Sequence, residues 1–383
     1  MAASKFGHNT LWHADFLKIV MADFCVCTSL YMLMALAPVC TDLTGGGSRA
    51  GLFLSFILFM TGVCLSSPFC NYWLDTYRRK SVALWGVIGI ICATAVFLFS
   101  APLWSKCLAR VVQGASYGVF QIALGSTLLL DLSDTRMRTE AAHVYYWFTR
   151  LALVFGPLAG IIIPVCYGIP LFAALAVGLQ VFAGMLILAV KVPFRAPLEP
   201  ALCTLDRFWL PRGVRLFIPL FVVVFGAGVI LGLYQEAVFY LCLAIGFWLS
   251  LCVHYLFFGR YLQGEFAMGY AALMICVLLC LSGDVIGVRL WAMAVSLGVG
   301  LGVVTSRYLL SYIRICEHCE RGTAHTSYLL AWEAGLLAGY SAACAIRSGG
   351  LHNYTYIILA WPVVAGLFHF FFVREWYAKN KRR

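Results

Sequence analysis

The sequence predicts an all-α integral membrane protein with twelve transmembrane helices in two sets of six, and three observations carry that reading. Of its 383 residues, 63% are apolar and 11% charged, with a mean hydropathy of +0.91. A soluble domain has too much surface for its volume to hide that much hydrocarbon. Runs such as 83–100, 170–190 and 354–373 reach the length of about 20 residues that a bilayer crossing needs. They are too long and too evenly apolar for barrel strands, so helices are expected.

The first six spans are expected near 14–38, 50–73, 82–101, 104–131, 141–166 and 170–191. The second six fall near 214–234, 237–258, 264–282, 287–312, 324–346 and 354–376. A polar, proline-containing stretch carrying Arg195, Asp206, Arg207 and Arg212 lies between the sets. It divides the chain into an N-terminal bundle at 1–192, a linker at 193–213 and a C-terminal bundle at 214–383. The first run follows about a dozen polar residues and lacks a small-residue cleavage site, so it is read as a retained helix.

Net charge is +11. Lys5, Arg78, Arg79, Lys80, Arg136, Arg138, Lys191, Arg195, Arg207, Arg212, Arg215, Arg260, Arg314, Arg321 and a cluster at 374–383 fall on the side of the termini. Arg49, Lys106, Arg289 and Arg347 fall on the other. The positive-inside rule then puts both termini in the cytoplasm, and the basic surplus needs no nucleic acid to explain it. Short loops suit a bacterial cytoplasmic membrane. Most of the 16 Cys lie inside apolar runs as small packing side chains. Cys40, Cys107 and Cys166 lie near the expected outer face, where a disulfide is conceivable. Cys316, His318 and Cys319 form one Cys-x-x-Cys pair without the second that a closed zinc site needs, so no metal is expected.

Four motifs stand out. Between spans two and three, Asp75 precedes Arg78, Arg79 and Lys80. That pattern fits a gating loop in which the acid pairs in one conformation and releases in another, or simply a topological anchor. Arg110, Gly114 and Gly118 share a face of span four, which permits close helix approach beside a buried cation. Gly156, Pro157 and Gly160 in span five offer a bend or sliding surface. Span eleven starts at 320–327 and continues through Trp332, Glu333 and Gly335.

In this order the motifs resemble the major facilitator superfamily. That family's loop between helices two and three reads Gly-x-Leu-x-Asp-Arg-x-Gly-Arg-Arg/Lys. Asp75, Arg79 and Lys80 match it, while Asn71, Trp73, Thr76 and Arg78 depart. Arg110 and Gly114 match the helix-four Arg-x-x-x-Gly pattern. Gly156, Pro157 and Gly160 match the helix-five Gly-Pro-x-x-Gly pattern associated with antiporters. The stretch from Asp131 to Arg138 resembles the loop after helix four, and the start of span eleven resembles efflux-type members. The resemblance implies two pseudo-symmetric bundles rocking about a midplane site.

Ionisable groups inside spans are expensive and mark a cavity or a partner. Asp23 and Glu333 are candidate proton-binding or substrate-binding acids, or carboxylates fixed to an arginine. Arg110 and Arg150 are candidates for coupling or for a structural pair. Lys18 snorkels, and Arg307 extends toward water. His143, Tyr146 and Trp147 with Arg150 form an aromatic and cationic wall that suits a planar or anionic ligand, or an interfacial belt. No Gly-x-x-x-x-Gly-Lys-Ser/Thr loop occurs, and the eight His are dispersed. Neither ATP-driven pumping nor a membrane enzyme is expected, and no cofactor. The expected function is a monomeric secondary active transporter that exports a small organic solute in exchange for protons. The alternative is proton-coupled uptake of a sugar or organic anion, and a non-transporting sensor is a further class.

Overall fold

A computed structural model of the chain describes residues 11–39, 49–100, 102–192, 201–204, 207–257, 262–282, 285–317, 319–349 and 360–381. Among them there is no strand. In hydrocarbon an open chain can pair its own N–H and C=O groups only as helix. The helices are α1 Ala14–Val39, α2 Arg49–Thr76, α3 Arg79–Phe99, α4 Leu103–Leu132, α5 Arg138–Tyr167 and α6 Ile169–Leu188. After a 3₁₀ turn at Pro211–Gly213 come α7 Val214–Leu233, α8 Ala237–Phe257, α9 Leu262–Leu281, α10 Val288–Ile315 and α11 Arg321–Gly349. Finally α12 begins at Trp361–Phe368 and continues to Asn380. Two helices widen into π-helix: α4 at Ile122–Leu128 and α12 at His369–Val373. Gly168, at φ 85°, makes the sharp turn between α5 and α6, and Pro170 opens the first turn of α6.

Ten of these helices are long and apolar enough to cross a membrane. The eighth offers a shorter apolar run, Ala237–Val253. The start of the twelfth expected span lies outside the described residues, as do Cys40, Arg195, Asp206, Arg260 and His318. Cys107 and Cys166 are free thiols.

Helix pairing repeats with an offset of six. In the first half α1 packs on α5 and α6, α2 on α4, and α3 on α4 and α6. In the second, α7 packs on α11 and α12, α8 on α10, and α9 on α10 and α12. The halves meet where α2 touches α11, α5 touches α8 and α10, and the π-helical part of α4 touches α11. Large apolar side chains on the outside, among them Trp85, Ile88, Met185, Trp248, Leu278 and Phe371, are exposed to what would be lipid.

The motif glycines are contact points. A Cβ on Gly114 would fall 1.9 Å from the Phe59 carbonyl oxygen of α2, and one on Gly118 would lie 3.0 Å from Ser66 Oγ. On α5, Gly156 and Gly160 each leave room for α1, at Tyr31 and at the Met32 carbonyl, 2.6 Å away in both cases. Pro157 lies between them without ending the helix. These two seams hold α4 and α1, which carry Arg110, Gln113, Gln121 and Asp23 among the buried polar side chains, in register with their neighbours.

Candidate functional site

The interface between the halves holds a cavity lined by Cys27, Leu30, Tyr31 and Met34 of α1, Phe56 and Phe59 of α2, Arg110 and Tyr117 of α4, and Glu333 and Leu337 of α11. Glu333 enters from the second half, is 4% exposed, and its Oε1 accepts hydrogen bonds from Tyr117 (2.7 Å) and Tyr31 (3.0 Å) of the first. Trp332 Nε1 donates to the Tyr31 hydroxyl at 3.1 Å, which fixes that phenol's orientation.

Asp23 lies about two turns nearer the terminal end of α1 and is fully buried. Its Oδ1 accepts from Gln121 Nε2 at 2.6 Å and its Oδ2 from Thr149 Oγ1 at 2.8 Å. Tyr145 in turn donates to Gln121 at 3.1 Å. Among the described residues no cation contacts Asp23 or Glu333, so neither is the arginine-paired carboxylate that was one expectation. Cys27 stands between them, with its Sγ 3.6 Å from Asp23 Oδ1 and 3.7 Å from the Tyr117 hydroxyl. A thiol and a phenol thus connect the two acids across the halves.

Among the described residues Arg110 also lacks a carboxylate. Its Nη1 donates to Gln113 at 2.8 Å and its guanidinium sits 3.7 Å from the Phe97 ring centre. Gln113 and Gln180 both donate to Thr94 Oγ1, and Gln180 also donates to Ser29, so a polar seam runs behind the cavity through α3, α4, α6 and α1. Among the described residues Arg110 Nε and Nη2 have no hydrogen-bond partner. A buried charge left partly unsatisfied is costly, and such costs persist where a ligand or function uses them.

Toward the face that carries the termini, a layer of contacts closes the cavity. Arg150, 1% exposed, donates to Ser306 of α10 (2.9 Å) and to Tyr328 of α11 (3.2 Å). Tyr146 stacks on His325, donates to its carbonyl at 3.2 Å and meets Tyr328 edge-on. Trp147 meets Trp248 of α8. Tyr146, Trp147 and Arg150 therefore form a plug between halves, and with His143 they stand off the cavity wall on which they were expected. The π-helical turn of α4 brings Ser126 beside Gly322 of α11, where a Cβ would fall 2.8 Å from the Ser126 carbonyl. At the far end Tyr340 packs edge-on against Phe56 and accepts from Gln235 at 2.5 Å.

The loop motif is tied to other elements by ion pairs and hydrogen bonds. Asp75 pairs with Arg207 of the linker at 2.7 Å, Arg79 pairs with Asp131 at the end of α4, and Lys80 donates to the carbonyls of Leu188 (2.6 Å) and Val190 (2.8 Å). Lys18 pairs with Asp15 and reaches the Ala189 carbonyl. Arg307 does not extend toward water. It forms a buried ion pair with Glu265 of α9, inside the second half.

Sequence reasoning missed Cys27, Tyr31, Tyr117, Gln121 and Thr149. Two signals were present. Asp23, Cys27 and Tyr31 recur at four-residue steps on α1, and Arg110, Gln113, Tyr117 and Gln121 form one stripe on α4.

Comparison with known proteins agrees with this architecture. The Major Facilitator Superfamily family model matches residues 19–340. "Multidrug resistance protein MdtL" of Klebsiella pneumoniae (strain 342) is 24% identical over 189 residues, 47% of this chain and 47% of that protein. The match thus spans about half the length of that relative. A bacterial homologue of the iron transporter ferroportin, solved in an outward-facing state, superposes with a TM-score of 0.69 at 17% identity, covering 95% of this chain and 99% of that one. A bacterial homologue of the human lysosomal transporter Spinster, solved inward-facing and unoccupied, gives 0.65 at 15% identity, with 96% and 98% covered. At these identities the structures speak for the fold alone, and the family model covers most of the sequence. The chain belongs to the major facilitator superfamily of membrane transporters.

Proposed function

We propose that this transporter exports a small organic solute in exchange for protons by alternating access. In this reading residues 1–192 and 214–383 are the two moving bodies, 193–213 is their joint, and the termini lie in the cytoplasm of a bacterial cell. One observation carries the coupling. Asp23 and Glu333 come from opposite halves and are buried, Glu333 at the interface and Asp23 inside the first half, linked to Glu333 through Cys27 and Tyr117; among the described residues both are held only by neutral donors. An ionised carboxylate without a cation is expensive at that depth, and taking up a proton removes the charge. Opening to one side and then the other lets such an acid load and release protons on different sides. The plug at Tyr146, Arg150 and Tyr328 is the barrier on the terminal face, and it must part for the cavity to open there. Each chain holds both acids and the whole cavity, so one copy suffices. Export is supported by the likeness to a multidrug resistance protein and by Gly156, Pro157 and Gly160.

The unsatisfied Arg110 favours a second reading, proton-coupled uptake of an organic acid, because a protonated Glu333 leaves the cavity wall net positive. Proteoliposomes separate the two whichever way the protein inserts. Exchange predicts that an acid lumen drives solute accumulation. Symport predicts that an acid exterior does. Accumulation under neither gradient, with label still exchanging across the membrane, would remove proton coupling from the account.

A further inference from the structure

The central cavity has a neighbour on its lipid side. Phe56 of α2 and Leu337 of α11 line the cavity, and the same two side chains line a wider groove of about 650 Å³ on the outside of the bundle, between α2, α7 and α11. The groove is walled by Ile57, Met60, Leu65, Phe217 and Phe221. Its surface is mostly hydrocarbon, with Thr61, Cys64 and Ser341 the exceptions, and it opens where lipid would lie. The cavity differs in character at its inner end. Arg110, 6% exposed, lines it with Nε and Nη2 free of hydrogen-bond partners among the described residues, while Glu333, the other charged residue on the wall, is already held by Tyr31 and Tyr117.

The two spaces suit the two ends of one molecule, although the cavity, at about 20 Å³, takes an acid group only as the halves separate around it. A planar guanidinium with two free N–H groups fits two oxygens of a single acid group. A long apolar groove that meets the cavity at Phe56 and Leu337 fits a hydrocarbon chain. We propose that the transporter's ligand is an anionic amphiphile. Its acid group, a carboxylate or a phosphate or sulfate monoester, sits on Arg110, and its tail passes between Phe56 and Leu337 into the α2–α7–α11 groove. This deepens the proposed function by naming its substrate class, and it holds for either direction of flux.

Photo-crosslinking in lipid nanodiscs tests the placement without requiring transport. The probe is dodecanoate with a diazirine at the far end of its chain, and labelled peptides are mapped by mass spectrometry. Saturable labelling is expected on the groove segments of α2, α7 or α11. Excess dodecanoate should displace it, whereas dodecanol and acetate should not. Arg110→Gln, compared with wild type on protein of the same elution volume, should weaken it roughly tenfold or more. Phe56→Trp, which leaves the guanidinium in place, should remove groove labelling by narrowing the passage. Labelling that never saturates, that dodecanol displaces equally, or that survives both variants unchanged would make the groove an ordinary lipid contact and overturn the proposal. Saturable labelling without gradient-driven flux would leave this proposal standing and remove proton-coupled transport. Flux of another solute without labelling would do the reverse.

Discussion

The buried pair between Glu265 and Arg307 gives the sharpest stability prediction. Their side chains are 2% and 5% exposed, on α9 and α10. Two opposite charges about 3 Å apart at an effective dielectric of about 20 attract by roughly 5 kcal/mol, much of it offset by the desolvation of both ions. Arg307→Met deletes one ion and strands the other, because Glu265 has no other ionic partner among the described residues. The expected cost is about 3–5 kcal/mol. Replacing both residues, as Glu265→Leu with Arg307→Met, removes the stranded charge and should bring stability back to within about 1 kcal/mol of wild type. Thermal unfolding in detergent, read by the loss of the monodisperse peak on size exclusion, should rank the single variant well below the other two. If the double variant melts as low as the single one, the two changes act through packing and the electrostatic reasoning fails.

Three further variants probe other parts of the structure. Gly114→Ala should destabilise by about 3 kcal/mol or more, since its Cβ meets the Phe59 backbone at 1.9 Å, whereas Gly178→Ala on α6, whose Cβ meets nothing within 4 Å, should stabilise by about 0.5–1 kcal/mol; paired melting curves check both signs. Tyr328→Phe removes the hydrogen bond from Arg150 and should weaken the plug by about 1.5–3 kcal/mol, seen as faster maleimide labelling of a Thr127→Cys reporter in a background free of reactive thiols. Arg207→Ala breaks a pair whose arginine is a quarter exposed, so its melting temperature should fall by no more than about 1 kcal/mol implies, while cleavage of the linker by a protease that does not require arginine should speed up.

The span pattern was legible because hydrocarbon leaves a one-dimensional signal: an apolar window either reaches bilayer length or does not. Asp23, Arg110, Arg150 and Glu333 were legible for the same reason, since a charge amid apolar residues needs an explanation wherever it folds. Partners were not. Tyr31 and Tyr117 are ordinary residues on membrane helices, and only the meeting of α1, α4 and α11 makes them the donors to Glu333. Glu265 sits in the first turn of α9 beside Gln263 and Gly264, where it reads as a polar helix end. Without it, Arg307 could only be referred to water. Asp75 finds its partner in Arg207, 132 residues later, and no local pattern encodes that. The aromatic cluster at 145–148 carried the right side chains but no sign of whether α5 turned them toward the cavity or toward α8, α10 and α11.

The coupling claim is tested most directly by protons themselves. With a pH dye trapped in proteoliposomes, adding transported solute to wild-type protein should shift the lumenal pH. In the Asp23→Asn and Glu333→Gln variants labelled solute should still equilibrate across the membrane while that shift is lost. A lumenal pH change of wild-type size in both variants would show that neither acid carries the proton.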